Sequence, residues 1–346
     1  MGARSLALAL SAVIATALFS FGQEDVPTFR SDAQLVLTGF HVTAKKQYVS
    51  GLTVADFELL VDGRPRPITT FEGNQRGIPV EIVLLFDTSG SVTGRGLLDD
   101  KLFRDDLLAA LPGVTLSVYS FGGHGDRLTR FCGATRDAAT LQQAFRGVVK
   151  KGPGEAGFVL GKPGKDSLIY ESIVRTLEES SHSITPGVRM LLVVSDGIPG
   201  GDQDPAAAVT AAQEAGVPVY PLLVGHQARI SEFGMESSAP PRSGEDEHAF
   251  SVRRDYRKKQ FDETESQAAA FASLGDATGG RSFDPPELNA AAARDVIRSL
   301  ADEVRAEYVA GFAPEPGSPP ASHRIGIRLK GHKEAKLAGG GRLAVY

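Results

Sequence analysis

Asp87, Ser89 and Ser91 stand at i, i+2 and i+4 in the run Glu-Ile-Val-Leu-Leu-Phe-Asp-Thr-Ser-Gly-Ser that covers residues 81 to 91. Three oxygen-bearing side chains at that spacing, in a loop turning over the end of an apolar strand, can converge on one point. Hard oxygen donors without thiol or imidazole suit Mg²⁺ better than Zn²⁺ or Cu²⁺. A second apolar run, Leu191-Leu192-Val193-Val194-Ser195, delivers Asp196-Gly197 at its exit in the same manner. Between the two, Gly164-Lys165-Asp166-Ser167 opens a helix, so the Ser167 hydroxyl lies at a helix N-terminus facing the same crevice. Two carboxylates (Asp87, Asp196) and three hydroxyls (Ser89, Ser91, Ser167) make a set able to hold Mg²⁺, or Mn²⁺ or Ca²⁺, with coordination positions left open. The same residues have plainer uses. Ser89, Ser91 and Ser167 can cap helices without a metal, and Asp196-Gly197 alone is an ordinary turn signal. Two carboxylates brought close repel, however, and call for a cation between them.

The elements that must position these groups follow from periodicity. From Val80 to about Arg305, strands at Glu81 to Phe86, Val114 to Phe121, Leu128 to Cys132, Val188 to Ser195, Val217 to Val224 and Arg281 to Phe283 alternate with helices near 95 to 111, 137 to 149, 167 to 181, 204 to 215, 266 to 277 and 287 to 306. Continuous apolar strands such as Ile82 to Phe86 and Met190 to Val194 are expected where helices cover both sheet faces. The expected fold is therefore α/β: a doubly wound, mostly parallel six-stranded sheet flanked by helices over residues 79–306, with ligands bound beyond the carboxyl ends of the strands. Residues 226 to 266 are polar and lack a clear period, which reads as an insertion loop.

Outside this region the pattern has period two. Val36, Phe40 and Val42 share one parity, Phe57, Leu59 and Val61 repeat the alternation, and Ile325, Ile327 and Leu329 do so again near the end. Asp62-Gly63 signals a hairpin before Ile68 to Phe71, and Pro65 and Pro67 place the following strand at an edge. The two flanks, 27–75 and 307–346, are expected to pair into one small β-sandwich.

Composition narrows the function classes. The 346 residues are 42% hydrophobic, enough for about two domains with cores of their own. A formal charge of -5 argues against nucleic acid as a partner. The basic cluster Arg253, Arg254, Arg257, Lys258, Lys259 follows acidic Glu245, Asp246 and Glu247 and reads as a solvated loop. Residues 1–22 read as a secretory signal peptide: Arg4 precedes an apolar run from Leu6 to Phe19, and Ser20-Phe21-Gly22 offers small residues for cleavage. That run is shorter than the roughly 18 residues a bilayer crossing needs, so an exported protein, periplasmic or extracellular and with no membrane span after cleavage, is expected. Cys132 is the single cysteine and allows no intrachain disulfide. The seven histidines show no metal-ligand spacing and read mostly as surface residues.

Together, the Asp87-Thr-Ser-Gly-Ser91 loop, Ser167 before Leu-Ile-Tyr-Glu-Ser-Ile, and the Asp196 loop resemble the metal-ion-dependent adhesion site of von Willebrand factor type A domains. The resemblance covers about residues 80 to 306. It extends more loosely to Gly51-Leu52-Thr53, Asp56-Phe57, Asp62-Gly63, Ala277-Thr278-Gly279-Gly280-Arg281 and Tyr308, which look like a bacterial group of exported relatives. It implies a Mg²⁺ site built from Asp87, Ser89, Ser91, Ser167 and Asp196, completed by an Asp or Glu carboxylate from a protein partner. Ser167 falls where the family usually has threonine, and Lys165-Asp166 departs from the Gly-Gly common in bacterial relatives, which makes Asp166 a candidate substitute ligand. Two other classes stay in view. A Mg²⁺-dependent phosphoryl transferase or hydrolase with Asp87 as nucleophile lacks a second carboxylate two residues on and a lysine for the leaving phosphate. A metal-free scaffold would keep the motif as caps alone.

Overall fold

The computed structural model describes residues 35–45, 47–73, 79–93, 109, 113–122, 128–150, 167–180, 188–201, 203–237, 239–315, 321–339 and 341–345, all within one unit, Leu35–Tyr346. The signal-peptide reading of residues 1–22, nearly all of the helix expected near 95 to 111, and Lys165 and Asp166 lie outside the described residues. Its strands in chain order are β1 (Val36–Ala44), β2 (Gln47–Tyr48), β3 (Phe57–Val61), β4 (Arg64–Arg66), β5 (Thr70–Gly73), β6 (Val80–Asp87), β7 (Thr115–Phe121), β8 (Thr129–Thr135), β9 (Val188–Ser195), β10 (Val219–Leu223), β11 (Tyr308–Phe312), β12 (Ser322–Leu329), β13 (Ala335–Gly339) and β14 (Arg342–Val345). The described α-helices are α1 (Gly90–Thr93), α2 (Ala138–Lys150), α3 (Ile169–Ser180), α4 (Pro205–Ala215), α5 (His226–Ser237), α6 (Glu247–Thr278) and α7 (Ala290–Ala306).

The expected six-stranded, doubly wound sheet is not what forms. The central sheet has five strands in the order β10-β9-β6-β7-β8, and the other strands make two further, antiparallel sheets. Strand β8 runs antiparallel to β7. Its direction follows from the connection: residues 122–128 are too few for the dozen or so that a parallel crossover needs. Arg281 to Phe283 contributes only an isolated bridge between Leu222 and Phe283, because Pro285-Pro286 stops the extended segment at once.

Within this sheet β6 is buried along its whole length, and its side chains alternate between two cores. Ile82, Leu84 and Phe86 face α2 and α7 through Leu141, Phe145, Ile297 and Leu300. Val83 and Leu85 face α3, α4 and α6 through Ile173, Leu177, Ala208, Phe271 and Leu274. Each such side chain contributes about 1.5–3 kcal/mol by leaving water, so the strand carrying Asp87 is among the best-anchored in the chain.

In the outer sheets, strands before residue 75 pair with strands after 307. β1 pairs antiparallel with β11, Val36 opposite Phe312, and β3 pairs with β12, Leu59 opposite Ile327. Both sheets feed one core around Phe40, Phe57, Tyr308 and Phe312, with the Phe40 and Phe57 rings edge-on at 4.9 Å. Asp62 and Gly63 take φ of 51° and 77°, the positive pair a tight hairpin turn requires. The turn leads into β4 rather than into Ile68 to Phe71, and β4, carrying Pro65, is an edge strand. β5 pairs with β11 in the other sheet.

The reading of 226 to 266 as a loop is also corrected, since α5 and the first half of α6 occupy it. The apolar helical period of α6 begins only at Thr264, Ala268 and Phe271. Ahead of that, the helix is held by polar contacts. The Asp246 side chain caps it by accepting from the Ala249 N–H at 2.8 Å, and Arg253 clamps Glu245 at 2.8 and 2.7 Å. The basic cluster thus lies on a helix and not in a loop.

Candidate metal centre

Register between β6 and β9 builds the first part of the centre. Phe86 lies opposite Val194 in this parallel pair, so one step further Asp87 and Ser195 are neighbours, on the face of Val83, Leu85, Leu191 and Val193. There the Ser195 hydroxyl donates to Asp87 Oδ2 at 2.7 Å. Helix α3 packs Ile169, Tyr170 and Ile173 on the same face, which brings Ser167 Oγ within 3.1 Å of the same oxygen. Asp87 Oδ1 accepts the Ser89 N–H at 2.8 Å, and Ser89 Oγ lies 3.1 Å from Ser91 Oγ. An unbroken run of oxygens therefore extends from Ser167 through Asp87 and Ser89 to Ser91. Its inner members Asp87, Ser89 and Ser167 are buried, and Ser91 is exposed at the mouth.

Neighbouring residues fix these loops. Thr88 Oγ1 donates to the Phe121 carbonyl at 2.7 Å and ties the loop to β7. Gln203 Nε2 donates to the carbonyls of Ser167 at 2.9 Å and Gly200 at 2.8 Å, joining the second loop to the third. Gly197 turns the third loop with φ of 75°, and a Cβ there would meet Phe271 at 3.1 Å.

Asp196 is 1% exposed and stands close enough that its charge acts on Asp87. Burial first, and then that charge, push the Asp87 carboxyl above its ordinary range, while bonds from Ser89 and Ser195 pull it back. The Asp196 oxygens are engaged elsewhere: Oδ1 accepts the Ile198 N–H at 3.2 Å, and Oδ2 accepts from Arg229 Nη2 at 2.7 Å. Arg229 comes from α5. His226, at the start of that helix, is 8% exposed and bonded through Nδ1 to Asp284 Oδ2 at 2.9 Å, with Nε2 facing Glu265 at 3.7 Å. The expectation of surface histidines therefore fails at His226.

Four of the five sequence-designated residues are thus in hydrogen-bonded sequence, and the fifth, Asp196, is a near neighbour bound to an arginine. Among the described residues no group of three or more His, Cys, Asp and Glu side chains is placed to hold a metal. A cation here must take its donors from hydroxyls as well as carboxylates. That all-oxygen set fits a hard divalent ion, which tolerates neutral ligands and water. Sequence reasoning missed Ser195, although its place beside Asp87 was readable from two apolar runs of matching parity. It also missed Arg229, for which no local pattern exists.

No protein-family model matches this chain, and no curated protein matches it. Similar solved structures include conserved hypothetical protein BatB from Bacteroides thetaiotaomicron, with 16% identity over 65% of this chain and 99% of that one and a TM-score of 0.40. Proximal thread matrix protein 1 from the mussel byssus is similar at 12% identity over 80% and 51% of the two chains, TM-score 0.40. The PilB minor pilin from Streptococcus sanguinis is similar at 10% identity over 70% and 63%, TM-score 0.38. These are distant likenesses, and no residue is carried across from them. No helix among the described residues is long and apolar enough to cross a membrane.

Proposed function

We propose that this chain is an exported protein-binding module in which Asp87, Ser89, Ser91, Ser167 and Asp196 hold Mg²⁺ and a partner's Asp or Glu carboxylate completes the coordination. One observation carries this reading: a buried carboxylate, Asp87, heads a run of serine oxygens that ends at solvent, with a second buried carboxylate beside it. Mg²⁺ in such a set supplies an electrophilic centre with charge left over for an incoming anion. The chain's own residues do the rest. Ser167, Ser195 and the Ser89 N–H orient Asp87, and Thr88 and Gln203 hold the three loops in register. Because both Asp87 oxygens already accept hydrogen bonds, a positioning role suits the residue better than a nucleophilic one. The apolar run from Leu6 to Phe19 supports export.

The test is thermal unfolding with and without millimolar MgCl₂ or MnCl₂. The wild type is expected to melt higher with metal and Asp87→Ala to show no shift; superimposable wild-type curves would sink the reading. A second reading, a metal-free scaffold, is favoured by the Arg229–Asp196 ion pair, in which the arginine supplies the countercharge. The same melt separates the two.

A further inference from the structure

We propose that Arg229 is a built-in rival of the metal ion: it occupies Asp196 until a divalent cation takes that carboxylate, so loading of the centre requires the arginine side chain to let go. This inference rests on the metal-site reading and adds to it the regulation of that site. The contact is short, 2.7 Å from Nη2 to Oδ2, and shielded, with Arg229 14% and Asp196 1% exposed at the side chain. A guanidinium and a divalent ion drawn to one carboxylate repel each other, and the repulsion is strong where water is excluded. Asp196 therefore serves one cation at a time.

Helix α5 makes the exchange feasible without unfolding. Its N-terminus is pinned, His226 Nδ1 to Asp284 at 2.9 Å, Gln227 Nε2 to the same oxygen at 2.5 Å, and Arg229 N–H to the Gly225 carbonyl at 3.1 Å. Arg229 lies one turn further along, and after His226 the described side chains of α5 are half-buried or exposed. The backbone can thus stay in place while the long arginine side chain rotates out to water. The arrangement compensates Asp196 in the empty protein, which otherwise would bury two like charges together with no cation.

The experiment is calorimetric titration of the full chain with MgCl₂, alongside melting curves, for the wild type, Arg229→Lys, Arg229→Gln and the double variant Arg229→Gln with Asp87→Ala. Arg229→Gln is expected to bind Mg²⁺ about tenfold more tightly than the wild type, the size of one lost charge-assisted competitor. Arg229→Lys should fall between them, and the double variant should lose binding, which assigns the gain to this centre. Without metal, Arg229→Gln should melt below the wild type, and MgCl₂ should restore it. Equal or weaker Mg²⁺ binding by Arg229→Gln overturns the rivalry while leaving the metal site standing. Absence of Mg²⁺ binding in the wild type and both single variants overturns the site and the rivalry together. Arg229→Lys keeps the charge and nearly the length, so a fold defect in the glutamine variant does not blunt the test.

Discussion

Two pairs of acids are buried in this protein, and they resolve the same electrostatic problem differently. Asp87 and Asp196 meet at the carboxyl end of the central sheet, surrounded by serine hydroxyls and one arginine, with exposed Ser91 at the mouth. Glu303 and Glu307 lie at the end of α7, 1% and 5% exposed. Glu303 is saturated: it accepts from the Tyr48 hydroxyl at 3.0 Å and the Tyr220 hydroxyl at 2.8 Å, and it faces Arg281 Nε at 3.0 Å and His41 Nδ1 at 3.6 Å. Glu307 has no such partners. Its Oε2 is unpartnered, its other oxygen lies against Gly39, where any side chain would collide with it, and burial followed by the Glu303 charge pushes its carboxyl up to about 8. The adjoining cavity of about 30 Å³, lined by Thr38, His41, Tyr220 and Thr278 among others, has room for about one water. The first pair keeps its charge and shares it with cations and hydroxyls; the second sheds one charge by binding a proton. Buried acidity is thus no sign of a metal site by itself. What distinguishes the first pair is convergent hydroxyl oxygen and an opening to solvent.

The sharpest way to break this contrast is pH. The Glu307 carboxyl is raised from 4.5 to about 8, so the folded state holds a proton that the unfolded chain releases. Its contribution is fully present below pH 4.5 and is lost as pH rises through about 8, on the order of 4 kcal/mol across that window. Glu307→Gln should flatten the fall, giving urea midpoints that vary less between pH 5 and 9 than those of the wild type. An unchanged slope would mean that Glu307 is ionised and the two pairs alike.

Next in size is Glu303→Ala, which strips Tyr48, Tyr220 and Arg281 of their shared partner and should cost about 3 kcal/mol in equilibrium unfolding. It should leave any Mg²⁺-induced shift intact, because that cluster is not the metal centre. Saturating Mg²⁺, at a hundred times its Kd, should stabilise the wild type by about 2.7 kcal/mol and Glu307→Gln by the same amount, read as an increase in the urea midpoint. A shift lost in Glu307→Gln would place the ion at the wrong pair. The smallest effect belongs to Ser195→Ala, which removes one donor to Asp87 and should cost about 1 kcal/mol while keeping the metal response. Loss of that response would make Ser195 a ligand.

Much of the candidate centre was readable along the chain because its parts are local. A continuous apolar strand ending in an aspartate announces itself in a few residues, and β9 spans Val188 to Ser195 as its pattern implies. Asp62-Gly63 likewise carries its own turn chemistry. Sheet architecture was less accessible. Segment types do not state which strands pair, and the antiparallel β8 was visible only in the shortness of residues 122–128. The first half of α6 escaped because polar pairs such as Arg253 with Glu245 sustain it, leaving no apolar period to detect.

Sequence alone therefore determined which residues could present oxygen at the ends of buried strands, since burial and strand exit are properties of a short window. Only the tertiary structure decided what answers each buried charge. Arg229 reaches Asp196 from a helix beyond β10, and Glu303 gathers Tyr48, Tyr220 and Arg281 from distant parts of the chain. A charge in a low-dielectric interior is stabilised by whatever the fold sets within a few ångströms, and that neighbour need not be close in sequence.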